Sequence, residues 1–390
     1  MKSKKEYLPK MRERYWKASR KAERSSIIDE VVAVLGYHRK YAIQVLRKTN
    51  LKTSDKRNRK RVSRYASAQP IILLVWEALD YPCAERLHPV LVETAELLER
   101  HGEVHLEPHL RVLLEAISRS TLARLLFKSR PTKLPRMSPP RKRTRLQKEV
   151  PIEKYDSGEM RPGALEADLV EHNGGSSLGH FAYTLTVVDV ATGYSRRRAV
   201  LGRGQLGIHR ELKRLLMSWP YPVWGIHTDN GTEFLNDHLI RYCKANDLKF
   251  TRSRPYRKND NPHAEQKNFQ HVRCLVGYER FDTEEQVTWL NSLYDLYDTY
   301  VNLFQPTRKL TSKERHGSNV RKYYDTAKTP LQRAKSLGVV VAETEEKLQR
   351  LYYSLNPLAM HKQIESLVSR SPAITETSEL LIDDENVAYS

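Results

Sequence analysis

The sequence predicts a multidomain protein with N-terminal all-α helix-turn-helix modules, a central α/β domain and a small, mostly helical C-terminal region. Three observations carry this. Helix-spaced apolar residues fill the first third of the 390 residues. Strand-like runs interleaved with amphipathic segments begin near residue 163. Beyond residue 305 only short helical stretches recur. The length accommodates two to three domains. Their expected bounds are 1–66, 67–127, a basic Pro-rich linker at 128–160, 161–305, 306–371, and an acidic tail at 372–390 read as disordered.

In the first module, Ser25 or Ser26 is positioned to cap a helix carrying Ile27, Ile28, Val31, Val32 and Leu35. Gly36 supplies a turn, and His38 to Lys48 reads as a second helix with Tyr41, Ala42, Ile43 and Leu46 inward. Arg39, Lys40, Gln44, Arg47 and Lys48 are left for solvent or for a major groove, a helix-turn-helix pattern. The run from Lys52 to Arg61 adds Arg57, Arg59, Lys60 and Arg61. In the second module, Glu115 to Leu126 reads as a helix end, a tight turn at Ser118 and a further helix. Ser118 or Ser120 would cap it, exposing Arg119, Thr121 and Arg124. His101, His105 and His109 recur every four residues, but Gly102 and Pro108 break any helix that would align them, so they read as loop histidines.

The α/β region reads as strands at Ala164–Val170, Phe181–Val190 and Tyr194–Leu201. A helix at Gln205–Trp219, a strand at Pro222–His227, a helix at about Leu235–Asn246 and a strand at Leu248–Thr251 follow. A long helix is expected from Pro262. Tyr294, Tyr297 and Tyr300 lie in a helical stretch as packing residues. Helices at Leu331–Leu337, Glu345–Leu355 and Leu358–Val368 complete the chain.

Charge is concentrated. Lys and Arg number 67 against 47 Asp and Glu, a net of +20. Residues 1–67 hold 21 of the cations and 6 of the acids, and Lys128 to Lys148 holds nine cations, among them Arg141, Lys142 and Arg143, with no acid. Basic segments placed before and between domains point to a polyanion, most simply double-stranded DNA. No apolar run approaches the roughly 20 residues of a membrane span. The basic N-terminus precedes no apolar signal core. Cys83, Cys243 and Cys274 form no paired motif, which fits a reducing cytoplasm.

Three carboxylates carry the candidate chemistry. Asp168 lies in the first strand, Asp229 just past the fourth, and Glu265 in the first turn of the helix opened by Pro262. Acids converging from separate elements need a neutralising partner, and Mg²⁺ with hard oxygen ligands is the natural one. Two such ions can clamp an in-line phosphoryl displacement. Glu166 shares the strand face of Asp168, Glu233 follows Asp229 by four residues, and Asp189 reads as the cap of its own turn.

The acids are separated by 60 and 35 residues, with TDNGTEF around Asp229 and Asn268 three residues after Glu265. This arrangement resembles the retroviral-integrase-type catalytic core of DDE transposases. With the two helical modules in front, the chain is similar to a bacterial insertion-sequence transposase of the ISNCY type. The resemblance implies an RNase H-like fold over about 160–305. It also implies Asp168, Asp229 and Glu265 as catalytic residues and ligands of two Mg²⁺ ions, for which Mn²⁺ would substitute. Asn230, Gly231 and Asn268 would support the site. The implied activity is cleavage at element ends followed by strand transfer into target DNA, performed by a homo-multimer on paired ends in the bacterial cytoplasm, at the nucleoid. A metal-dependent nuclease and a non-catalytic DNA-binding regulator are the alternatives. In one respect the chain departs from the pattern: lysines expected four and seven residues after the glutamate are Phe269 and Val272. Arg254, Arg257 and Lys258 from the preceding loop, and Lys267 and Arg273 on neighbouring faces, are left as candidate DNA contacts.

Overall fold

The computed structural model describes residues 2–47, 63–129, 161–228, 234, 237–252, 262–316 and 319–372. The chain divides into two compact units, 1–64 and 65–390. Among the described residues no helix is long and apolar enough to cross a membrane. The expected linker beyond Ser129 and the tail beyond Pro372 lie outside the described residues.

The first unit packs three helices, α1 (Lys2–Lys17), α2 (Lys21–Leu35) and α3 (Arg39–Arg47), around Met11, Tyr15, Ile28, Val31, Ala42 and Leu46. Gly36 takes the left-handed conformation (φ 66°) and donates its N–H to Val32 O at 2.9 Å, closing α2. The basic N-terminal segment forms helix α1, whose Leu8, Met11 and Tyr15 make an inward stripe. Two expectations need correction. Helix α2 starts four residues before Ser25, because Lys21, Ala22, Glu23 and Arg24 are good helix formers and propagate it. Tyr41 is exposed, and Val45 takes the inward position instead.

In the second unit, helices α4 (Gln69–Ala78), α5 (Ala84–Leu87), α6 (Leu91–Arg100), α7 (Pro108–Ala116) and α8 (Arg119–Lys128) come first. They share one apolar core with the 21-residue helix α12 (Glu284–Phe304). Tyr300 Oη donates to Ala78 O at 2.9 Å and Gln305 Nε2 to Leu79 O at 2.8 Å, tying α12 to the end of α4. Ser118 caps α8, its Oγ accepting from Thr121 N at 3.3 Å.

The central sheet comprises β1 (Ala164–Glu171), β2 (Ala182–Asp189), β3 (Ser195–Leu201), β4 (Gly225–Thr228) and β5 (Lys249–Arg252), in the order β3-β2-β1-β4-β5. The pairs β1–β2 and β2–β3 are antiparallel, whereas β1–β4 and β4–β5 are parallel. Helices α9 (Gln205–Met217) and α10 (Asp237–Ala245) make the crossovers. All eight residues of β2 are buried. Tyr183, Leu185 and Val187 pack in the core of α9, while Thr184 on the opposite face bonds Tyr294 Oη of α12 at 2.9 Å. Asp189 caps its own turn, accepting from Thr192 N at 2.8 Å and also from Gly163 N at 2.6 Å.

Helix α12 lies along the free edge of β3 and satisfies its backbone. Asn302 exchanges two hydrogen bonds with Ser195 (3.0 and 2.8 Å), and Asn291 exchanges two with Ala199 (2.8 and 3.0 Å). Asp298 accepts the N–H of Arg197 at 2.6 Å.

The helix expected from Pro262 is interrupted. Helix α11 spans Pro262–Asn268, a π-helical stretch runs over Phe269–Arg273, and a last turn, Cys274–Val276, stops at Gly277 (φ 73°). Asn268, His271 and Val272 are buried along this stretch, while Phe269 is exposed.

The C-terminal region is mostly helical, as expected, with one addition. Before α13 (Pro330–Ser336), α14 (Ala342–Ser354) and α15 (Pro357–Ser369) comes an antiparallel hairpin, β6 (Leu310–His316) and β7 (Asn319–Tyr324). It buries no apolar face, so it lacks the hydrophobic alternation by which strands are recognised.

Candidate functional site

Asp168 sits in β1, one residue past the point where Ala167 pairs with Thr228 of the parallel strand β4. Its carboxylate is held at both oxygens. Oδ1 accepts the N–H of Leu169 at 2.9 Å, and Oδ2 accepts Asn268 Nδ2 at 2.8 Å. Asn268 is buried, and its own Oδ1 has no hydrogen-bond partner among the described residues.

Period-two alternation places Glu166 on the face of Asp168, and the structure gives it a definite task. Glu166 is 1% exposed, and its Oε2 accepts the N–H groups of both His263 and Ala264 at 2.9 Å. These are free donors of the first turn of α11, where an anion is favoured. Glu265 follows directly and is exposed. Burial pushes the Glu166 carboxyl up to about 7 against those two hydrogen bonds, and the negative charges of Asp168 and Glu265 add to the rise. Glu166 therefore clamps α11 to β1 and feels both neighbouring acids. Its Oε1 is buried without a partner among the described residues.

Asp229, Asn230 and Gly231 lie outside the described residues, as do Arg254, Arg257 and Lys258. Among the described residues, no three His, Cys, Asp or Glu side chains group closely enough to hold a metal ion.

Behind α11 lies a polar layer that the sequence did not reveal. Lys267 Nζ meets His271 Nε2 at 3.2 Å, and His271 Nδ1 meets Tyr297 Oη at 2.9 Å. Burial, with Arg197, Lys309 and Arg86 nearby, pushes the Lys267 ammonium down to about 7. His263 falls to about 4, from burial first and then from Lys309 and Lys267. Lys267, expected among the DNA contacts, thus turns inward onto His271. Arg273 is likewise engaged within the fold, donating to Glu171 O at 2.6 Å and lying 4.6 Å from the ring of Tyr278. Lys267 stands two residues after Glu265 in the same regular helix and so faces away from it.

In the first unit, Lys40, Gln44 and Arg47 project from α3 into solvent. Arg39 is also exposed but pairs with Asp29 and donates to Ser25 Oγ at 2.7 Å. Lys48, Arg57, Arg59, Lys60 and Arg61 lie outside the described residues, as do Arg141, Lys142 and Arg143. On α8, Arg119 and Arg124 are exposed. Thr121 is half-buried, its Oγ1 accepting from Arg124 at 3.2 Å.

No family model matches the chain. Among solved structures, the catalytic core domain of BIV integrase is 14% identical, with a TM-score of 0.27, over 36% of this chain and 83% of that one. A likeness at that score adds nothing to the strand order already described. Among curated proteins, the uncharacterized protein y4rM of Sinorhizobium fredii (strain NBRC 101917 / NGR234) is 37% identical over 327 residues, which is 82% of this chain and 92% of that protein. Identity at that level over nearly the full length of both shows that this chain belongs to the same protein family as y4rM.

Proposed function

We propose that the chain is a DNA transposase of the DDE type, with residues 161–305 forming an RNase H-like catalytic core. The observation that carries this reading is the clamp of α11 onto β1. Through Glu166 and Asn268, it holds Asp168 and the helix bearing Glu265 together at one edge of a β3-β2-β1-β4-β5 sheet. Asp229 directly follows the end of β4, the strand parallel to and paired with β1.

The donor chemistry fits hard divalent cations. The candidate ligands Asp168, Asp229 and Glu265 offer only carboxylate oxygens, and Glu166 is pushed upward in part by the repulsion of two of them. Two Mg²⁺ ions bound there would supply Lewis-acid polarisation of the phosphoryl oxygens and of the attacking hydroxyl. The chain itself supplies orientation. Asn268 and the Leu169 N–H fix the Asp168 carboxylate, and Glu166 fixes the start of α11 and so the place of Glu265. Asn230 and Gly231 would shape the turn after Asp229. Arg39, Lys40, Gln44 and Arg47 of the first unit, and Arg119 and Arg124 of α8, would hold element ends through phosphate and base contacts in helix-turn-helix fashion. Joining two ends in one event calls for a multimer.

The test uses purified chain and labelled DNA carrying the ends that flank its gene, with Mg²⁺. Joined products from the wild type and none from Asp168→Asn are expected. Cleavage without joining would replace the reading by a nuclease. Binding with neither reaction would replace it by a regulator.

A further inference from the structure

The β6–β7 hairpin is an exposed ribbon with an uneven charge distribution. Directly opposed residues of an antiparallel pair share a face. One face carries Glu314, Arg321, Ser312 and Tyr323, and it is neutralised internally. Tyr323 Oη donates to Glu314 Oε2 at 2.7 Å, and the Arg321 guanidinium lies 5.3 Å from the Tyr323 ring. The other face opposes Lys313 to Lys322 and Arg315 to Val320. It has three cations and no acid, and none of the three is ion-paired among the described residues. Like charges set directly across a strand pair destabilise it, and an isolated two-stranded ribbon is already marginal in water. The fold nevertheless holds this ribbon in place by its root. Thr307 and Lys328 exchange backbone hydrogen bonds at 2.9 and 3.1 Å, Asp325 accepts Lys309 N at 2.6 Å, and Arg333 pairs with Asp325.

The root also joins the ribbon to α8. Arg119, at the start of that helix, lines a cavity of about 260 Å³ together with Arg308, Tyr324 and Asp325 from the two ends of the hairpin. Glu85 and Asp325 share that lining, so the two arginines there are balanced by two carboxylates and the uncompensated charge is that of the ribbon face. The seven residues of β6 extend roughly 23 Å, and a major groove about 12 Å wide admits a two-stranded ribbon.

We propose that the β6–β7 ribbon is a DNA-docking arm that lays its Lys313–Arg315–Lys322 face on a duplex. This rests on the DNA-directed reading above and adds a second contact surface to it. The unpartnered cations are the feature that a polyanion would relieve.

The experiment measures binding of the full chain to a fluorescent duplex of arbitrary sequence across a salt series. Each phosphate neutralised contributes about 0.9 to the slope of log affinity against log salt. The triple variant Lys313→Gln, Arg315→Gln, Lys322→Gln should flatten the slope by about 2–3 and weaken binding by up to about 500-fold at 0.1 M salt. An unchanged slope with intact wild-type binding would overturn the arm alone and leave the lysines as guards of an open strand edge. A wild type that binds no duplex would overturn the DNA reading as well. Wild-type preference for single-stranded RNA would also overturn the arm. A photo-cross-linking residue in place of Val320 should capture the duplex, and one in place of Tyr323 on the opposite face should not. Equal capture from both faces would overturn the assignment independently of any change in stability.

Discussion

Asp298→Ala tests whether α12 holds the sheet through a buried charge. Asp298 and Arg197 are 2% and 1% exposed and form an ion pair, and Asp298 also accepts the Arg197 backbone N–H. Removing the carboxylate leaves a buried guanidinium with Ser195 Oγ at 3.1 Å and the Tyr297 ring centroid at 5.7 Å. Its Nε has no partner among the described residues even in the wild type. One strand N–H is orphaned as well. Breaking a buried pair from one side costs about 3–5 kcal/mol, and the lost charge-assisted hydrogen bonds, at about 1.5–3 kcal/mol each, account for that range. Urea unfolding of the full chain followed by tryptophan fluorescence should show this loss in the transition of residues 65–390. The double variant Arg197→Met, Asp298→Leu should recover most of it, because the buried guanidinium leaves with its partner and only Arg196, partly exposed and 3.8 Å from Asp298, loses an ion pair. A loss below about 1 kcal/mol for Asp298→Ala, or a double variant no better than the single, would refute the argument.

Further outcomes follow from the same geometry. Gly163→Ala should destabilise by about 2–5 kcal/mol, since φ is +94° and a Cβ would stand 2.4 Å from Pro222 O; thermal unfolding within 1 kcal/mol of wild type would contradict it. Glu166→Ala should open the amides of His263 and Ala264 to hydrogen exchange, whereas Glu166→Gln, which keeps an acceptor oxygen, should preserve their protection. His172 is buried neutral, with burial pushing its imidazole down to about 3. Below about pH 6.5 the unfolded chain takes up a proton there that the folded chain refuses. Its stability contribution is therefore complete above pH 6.5 and falls by about 1.4 kcal/mol per pH unit toward pH 3. His172→Gln should flatten the stability profile over that window by about one proton, as read from denaturant midpoints at stepped pH.

Much of the central domain was legible because its strands and helices carry strong periodic patterns. Phe181–Val190 and Gln205–Trp219 announce β2 and α9 within two residues. Asp168 and Glu265 could be singled out because each sits beside a structural marker, a strand run or a helix-opening proline. Three features were not legible, each for a different reason. The π-helical stretch obeys no local sequence rule, since the buried Asn268, His271 and Val272 keep the spacing of an ordinary helix. The hairpin has no apolar face, and only the Gly317-Ser318 pair between its strands marks it in the sequence. The edge contacts of Asn291, Asp298 and Asn302 join residues about 100 positions apart, beyond the reach of any window.

Those edge contacts limit how copies of this chain can associate. A helix rises about 6 Å over four residues, close to the roughly 6.8 Å between alternate residues of a strand. Asp298 and Asn302 can therefore stand in for the missing neighbour of Arg197 and Ser195. With Asn291 at Ala199, the outward-facing groups at three alternate positions of β3 are engaged by side chains of the same chain. A second molecule cannot extend the sheet there without first peeling off α12 and unmaking its core with α4. Among the described residues, the borders left for adding a strand are β5 and the hairpin.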